Sequence, residues 1–336
     1  MRVLYTDPAW AIAGRDRPDP ALAWVEREVF GPEVELDLGL YDDGYVTSGD
    51  AFLAYAEGAD ALVVYRCQVT PELLAVVKPS CRVIARSGVG LDNLNIPSLV
   101  EWGVYGFHVP DYCGDEVTTH TAALLLALER GVCVQDRLVK SRQWGIHAGG
   151  VPRRVAERSV GIVGFGRIGR ASARKLQPFY DRVHAYDPYV AADVMAGHGV
   201  RHAGSLHDLL ATVDAVVLHA ELTDETDHLI DERALAAVKP GCLLVNTARG
   251  RLVDPGAVRG ALDDGRLAGF ASDVFSPEDP NRSAVTRELL TRDNVIVSSH
   301  RAFLSEESEL SLRRRVAAGV RTVLVEDVPP IDGRVA

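Results

Sequence analysis

Cysteine, positive charge and long apolar runs are all scarce in this chain, and each shortage removes a class of protein. The five cysteines, Cys67, Cys81, Cys113, Cys133 and Cys242, are scattered and form no C-x-x-C pair. That argues against a disulfide framework or a zinc site and suits reduced thiols. The longest apolar run, AALLLAL at 122–128, falls far short of the roughly 20 residues that span a bilayer. The N-terminus, MRVLYTDPAW, opens with a strand-like run and lacks the charged and apolar regions of a signal peptide. A soluble, cytoplasmic protein is expected. Lys and Arg number 36 against 47 Asp and Glu, for a net charge of −11. Nucleic acid and anionic membranes are therefore poor partners, and any anionic small molecule must be held by a few placed arginines. No metal-ligand cluster stands out, so no metal is expected.

At 336 residues the chain reads as two domains. Its first hundred residues alternate apolar runs, RVLYTD, VELDLG, ADALVVYR and CRVIARSG, with helical stretches, and VYGFHVP adds one more strand. This is the rhythm of a parallel sheet with helical crossovers. One long helical segment is expected from Asp115 to about Trp144, then a glycine-rich basic loop, GIHAGGVPRR, at 145–154. Six further strand candidates start at Ser159: SVGIVGFG, RVHAYDP, DAVVLHAEL, GCLLVNTAR, GFASDVF and NVIVSSH. They suffice for a doubly wound sheet of their own. After His300 the chain turns helical, SEESELSLRRRVAAGVRTVLV, and ends in a proline-containing tail.

GIVGFGRIGR places Gly164, Gly166 and Gly169 in G-x-G-x-x-G spacing, after an apolar strand and before a helical stretch. In that setting the first glycine makes the tight turn, the second lets a pyrophosphate approach the backbone, and the third lets helix and strand pack closely. The helix N-terminus then offers unpaired N–H groups to the phosphates. Arg167 and Ile168 lie in the same loop and are counted with it. Asp187 ends the next strand, about 20 residues on, where a carboxylate accepts from ribose hydroxyls and repels a 2′-phosphate. The expected cofactor is NAD. His219 and Ala248, at the ends of later strands, are further cofactor-binding candidates.

Three more strand ends carry Arg249 in VNTARGRLVD, Glu278 after ASDVFSPEDP begins, and His300 in SSHRAF. In an open α/β sheet, ligands bind at the carboxyl ends of the strands. Hydride transfer to a 2-oxo acid needs a bidentate cation for the carboxylate, which arginine supplies best. It needs a proton donor titrating near neutrality, which suits histidine. A carboxylate beside that histidine keeps it protonated and oriented. Singly, each residue has a plainer reading: a surface histidine, a solvated turn, a phosphate clamp. With the glycine loop they form a set.

The stretches SGVGLDNLNI, VPDYCGDEVTTHTAALLLAL, VGIVGFGRIGR, VHAYDPY, VNTARGRLVD and D-V-F-x-x-E ending at Glu278, followed by His300, run in order through nearly the whole chain. In this they resemble the D-isomer-specific 2-hydroxyacid dehydrogenase family. The resemblance implies that Arg249 binds the substrate carboxylate, that His300 is the general acid–base and that Glu278 pairs with it. It also implies that Asp273 lies near the nicotinamide carboxamide, that the backbone of Val89 and Gly90 completes the carboxylate site, and that the chain forms a homodimer through its cofactor domain. The fold expected is α/β, two doubly wound parallel-sheet domains. A Rossmann NAD-binding domain, 113–303, is inserted into a flavodoxin-like substrate domain, 1–112 and 304–336.

Where the family commonly has a proline before the histidine, this chain has Ser299, preceded by Ser298. Losing the fixed φ of proline is expected to loosen the approach to His300. Glu221 also replaces a common proline. Arg86 and Phe303 resemble the C-terminal-binding-protein branch, which carries an arginine and a tryptophan there. By that resemblance Arg86 is a second cation and Phe303 an apolar wall. This suits a 2-oxo acid with either a small apolar tail or a second anionic group, to which Arg301 would add. A strand-end ion pair and core packing are the plainer readings of those two residues. Phosphite oxidation is disfavoured, because Val89 stands where that activity uses a lysine. The function expected is NAD-dependent interconversion of a 2-oxo acid and a D-2-hydroxy acid. The alternative is an NAD(H)-sensing regulatory protein, against which the intact trio counts.

Overall fold

Strands that are apolar on both faces cannot be left in water on either, so they fold as buried parallel strands between helices. The computed structural model describes residues 1–330 and 332–336. In it the chain divides into two compact units, Met1–Tyr112 with Ser305–Ala336, and Cys113–Leu304.

The first unit holds β1 (Arg2–Tyr5), β2 (Glu35–Asp37), β3 (Ala61–Val64), β4 (Val83–Arg86) and β5 (Tyr105–His108). They form a parallel sheet in the order β2-β1-β3-β4-β5, the flavodoxin-like arrangement. Alternate residues serve opposite faces. Val3, Val63, Val83 and Ala85 join one core cluster, while Leu4, Leu62, Val64 and Ile84 join the other. The helix Glu306–Leu324 seals the first face with Leu312, Val316, Val320 and Val323. It starts at a capping box in which Ser305 and Ser308 each accept the other's backbone N–H, both at 2.9 Å. The same helix carries Arg313, whose guanidinium donates to the fully buried Glu26 at 2.6 Å and lies over the Trp10 ring.

The second unit contains β6 (Ser159–Val163), β7 (Arg182–Tyr186), β8 (Arg201–His202), β9 (Ala215–Leu218), β10 (Cys242–Asn246), β11 (Leu267–Ser272) and β12 (Val295–Val297). Their order is β12-β11-β10-β9-β6-β7-β8, all parallel. This is the Rossmann order, reversing direction between β6 and β9, with one strand added at the β11 edge. Val216, Leu218 and Leu244 pack on one face and Ala215, Val217, Leu243 and Val245 on the other. The six expected strands are present, and β8 is a seventh. It is only two residues long and exposed, so it leaves no apolar pattern to read.

The long helical segment expected to run unbroken from Asp115 to about Trp144 is two helices, Gly114–Arg130 and Val132–Lys140. Gly131 sits between them at φ 60°, a left-handed conformation that glycine adopts without the Cβ penalty and that ends a helix. The two helices bend by 62° at this break, and no single helix among the described residues is long and apolar enough to cross a membrane.

Candidate active site

All the sequence candidates of the second unit lie at the carboxyl ends of its strands or just beyond. Past β6, Gly164 takes φ +89°, and a Cβ there would collide with the backbone of His219 and Ala220. A Cβ on Gly169 would collide with the Gly164 carbonyl, so the helix Arg167–Leu176 packs on the loop only because this position is glycine. Gly166 differs: it is exposed, and a Cβ would meet nothing within 4 Å. No side chain caps that helix, and its first turn has no acid. Exposed backbone before an uncapped helix N-terminus fits a pyrophosphate. Asp187, past β7, accepts from Phe165 N at 2.7 Å and Tyr189 N at 2.9 Å, tying the glycine loop to the neighbouring strand end.

Past β9, His219 exchanges a hydrogen bond with Ser172 Oγ at 2.7 Å, and burial pulls its pKa down to about 4. Past β10, the buried Asn246 staples the turn: its Oδ1 accepts from Ala248 N at 3.0 Å and its Nδ2 donates to Arg249 O at 2.9 Å. Thr247 Oγ1 bonds Thr121 Oγ1 of the helix Gly114–Arg130 at 2.7 Å. Arg249 Nη1 donates to Ala248 O at 2.8 Å. Gly250 follows, and a Cβ there would overlap the backbone of Phe275. Glycine at this point lets the turn carrying Arg249 lie against the loop that leads to Glu278.

Past β12, His300 Nδ1 lies 2.6 Å from Glu278 Oε1. A carboxylate in that place accepts from Nδ1–H, which leaves Nε2 as the outward nitrogen. His300 has φ 53°, a left-handed conformation that costs a non-glycine residue about 1 kcal/mol. The loop is held there by Asp273, whose side chain is 1% exposed. Asp273 O accepts from His300 N at 2.7 Å, Oδ1 from Arg301 N at 3.0 Å and Oδ2 from Ala302 N at 2.8 Å. Ser298 Oγ donates to Oδ1 at 2.5 Å. Where a proline would fix φ, the neighbours of Ser299 are hydrogen-bonded to Asp273 on both sides. Each oxygen of Asp273, which the resemblance puts near the nicotinamide carboxamide, accepts at least one hydrogen bond from this loop. Phe303 meets the His300 ring edge-on, centroids 6.4 Å apart.

In the first unit, Arg86 ends β4 and is 8% exposed. Its guanidinium turns back to the Ser87 carbonyl and lies 5.4 Å from the Tyr65 ring centroid; Arg66 lies 5.2 Å from that same ring. Asp7 accepts backbone N–H bonds from Tyr65, Arg66 and Cys67, fixing the end of β3. His108 Nδ1 contacts Val89 O at 2.7 Å, so the Val89–Gly90 loop is braced from the end of β5.

The residues missed from sequence are Asn246, Thr121, Ser172 and above all His120. The Nε2 of His120 lies 2.8 Å from Ser298 Oγ. Each is a polar residue in an otherwise apolar or helical stretch, which was the available signal, but its partner stands far off in the chain.

With this geometry in view, residues 122–302 match the D-isomer specific 2-hydroxyacid dehydrogenase, NAD binding domain. A D-3-phosphoglycerate dehydrogenase of Mycobacterium tuberculosis (strain ATCC 25618 / H37Rv) is 34% identical over 281 residues, 84% of this chain and 52% of its own. A glyoxylate reductase of Korarchaeum cryptofilum (strain OPF8) is 32% identical over 313 residues, 91% of this chain and 92% of its own. The solved D-lactate dehydrogenase of Aquifex aeolicus, complexed with NAD and lactic acid, superposes with a TM-score of 0.84 at 24% identity, covering 97% of this chain and 96% of its own. The last comparison speaks to the fold. The chain spans about half the length of the phosphoglycerate dehydrogenases it matches. It belongs to the D-isomer-specific 2-hydroxyacid dehydrogenase family, and its second unit carries that family's NAD-binding domain.

Proposed function

We propose that this protein is an NAD-dependent oxidoreductase that reduces a short 2-oxo acid to the D-2-hydroxy acid, and reverses that reaction. The observation that carries this reading is the 2.6 Å pairing of His300 Nδ1 with Glu278 Oε1 at the carboxyl edge of a Rossmann sheet. The cofactor is held by Gly164, Gly166, Arg167, Ile168 and Gly169, by Asp187 at the ribose, and by His219, Ala248 and Asp273 along the remaining strand ends. Bound NADH supplies the hydride that reduces C2. Arg249 holds the substrate carboxylate through two parallel N–H donors. Glu278 keeps the proton on Nδ1 of His300, so the His300 Nε2–H faces the carbonyl oxygen. As C2 is reduced, that proton passes to the oxygen, and the neutral ring takes it back in the reverse direction.

Glyoxylate, named in one relative, is a short carboxylic acid, and Phe303 beside His300 suits a small tail. Arg86 in the first unit, with the Val89–Gly90 backbone, is our candidate for substrate anion recognition. The exposed Trp144 and Ile146, each 88% accessible, support a homodimer through the second unit.

The test is a panel of 2-oxo acids with NADH and NADPH, followed by absorbance. Turnover on monoanionic acids with NADH supports the reading; tight NADH binding with no turnover on any acid removes it. Arg86→Ala is expected to raise KM more for dianionic than for monoanionic acids, and an equal effect removes Arg86 from substrate recognition.

A further inference from the structure

Ser298 Oγ stands between two groups, Asp273 Oδ1 at 2.5 Å and His120 Nε2 at 2.8 Å. An ionised carboxylate only accepts, so the single hydroxyl proton of Ser298 points to Asp273. His120 must then donate its Nε2–H to the hydroxyl oxygen. This defines a directed chain: imidazole N–H to hydroxyl, hydroxyl to carboxylate. Beyond it, the carboxylate takes the amides of Arg301 and Ala302, and the Asp273 carbonyl takes that of His300. Hydrogen bonds in series polarise one another, and a carboxylate this deeply buried depends on its donors. What they hold is the backbone of residues 300–302, including the one that departs from ordinary φ.

We propose that His120 is a positioning residue for His300, acting through Ser298 and Asp273 from the helix Gly114–Arg130. The proposal rests on the reading of His300 as the acid–base. His120 touches none of the groups assigned to the substrate. Its effect is to orient one hydroxyl, which completes the donor set of Asp273, which keeps the His300 ring facing the reacting oxygen. The adjacent Thr121 braces Thr247 in the Arg249 turn, so two successive residues of one helix steady the two loops that carry the proton donor and the carboxylate clamp.

The test has two readouts on the full chain. Amide exchange of the 298–304 segment, followed by mass spectrometry without substrate, is expected to quicken on the order of tenfold in His120→Ala and in Ser298→Ala, the weight of one hydrogen bond to a charged group. Ser298→Thr keeps the hydroxyl and is expected to exchange like the wild type. In kinetics, His120→Ala is expected to lower kcat on the order of tenfold while the NADH dissociation constant stays within twofold. Combining it with Ser298→Ala is expected to cost little more than either alone, since both break one chain. Unchanged exchange in His120→Ala, or additive losses in the double variant, overturns the proposal. A wild-type chain that turns over no 2-oxo acid overturns the role of His300; the exchange measurement still decides whether His120 holds the loop.

Discussion

The role proposed for His300 depends on the atoms around it. Alone it is a partly exposed imidazole; against Glu278 at 2.6 Å it has one tautomer and one free nitrogen. A positioned proton donor contributes about 10²–10⁴-fold. We therefore expect His300→Ala to lower kcat by that order and leave NADH binding near normal, as measured by stopped-flow turnover and equilibrium fluorescence. His219 makes the opposite use of its surroundings. Its folded pKa of about 4 lies below the ordinary 6.5. Between those values the unfolded chain binds a proton that the folded chain refuses, so stability is full above pH 6.5 and falls as pH drops towards 4. In His219→Gln the loss of stability between pH 7 and pH 5, read from urea midpoints, is expected to be smaller than in the wild type.

Among the elements, the loops past β10 and β11 depend on close approach more than on any single bond. Gly250 lets one backbone rest on another at Phe275. An added methyl forces a shift, and overpacking of this kind costs about 1–3 kcal/mol. Gly250→Ala is expected to lower the thermal midpoint and to raise KM for the 2-oxo acid more than KM for NADH, because the shift moves Arg249. A midpoint that drops with both KM values unchanged would show that the contact serves stability alone. The helix Glu306–Leu324 is a simpler case: its apolar stripe and its serine capping box are local, and its helical run was legible in the chain as written.

At the level of the whole molecule, two units with separate cores form from one chain, the second inserted into the first. A ligand that binds one folded unit stabilises it by RT ln(1 + [L]/Kd), about 2.7 kcal/mol at a hundredfold excess over Kd. Removing one partner of a buried ion pair strands the other and costs about 3–5 kcal/mol. Calorimetry should therefore separate the two units. NADH is expected to raise the transition of the second unit, while Glu26→Gln, which strands Arg313, lowers that of the first. A single transition moved equally by both would show that the units unfold together.

Strand positions, the glycine loop, the acid that follows it and the family itself were legible in linear order, because each rests on near neighbours: apolar period, turn chemistry and the spacing of a motif. The break at Gly131 and the strand β8 were not, since one glycine inside an apolar helix and two exposed residues carry too little pattern. Ser298 could be read only as the neighbour of a missing proline at Ser299. Its bonds to Asp273 and His120 reach residues 25 and 178 positions away. Folding alone brings such groups within 3 Å, because the parallel sheet delivers every strand end to one edge and the long helix crosses behind it. Residue types are written in the chain; which donor meets which acceptor depends on how the sheet stacks.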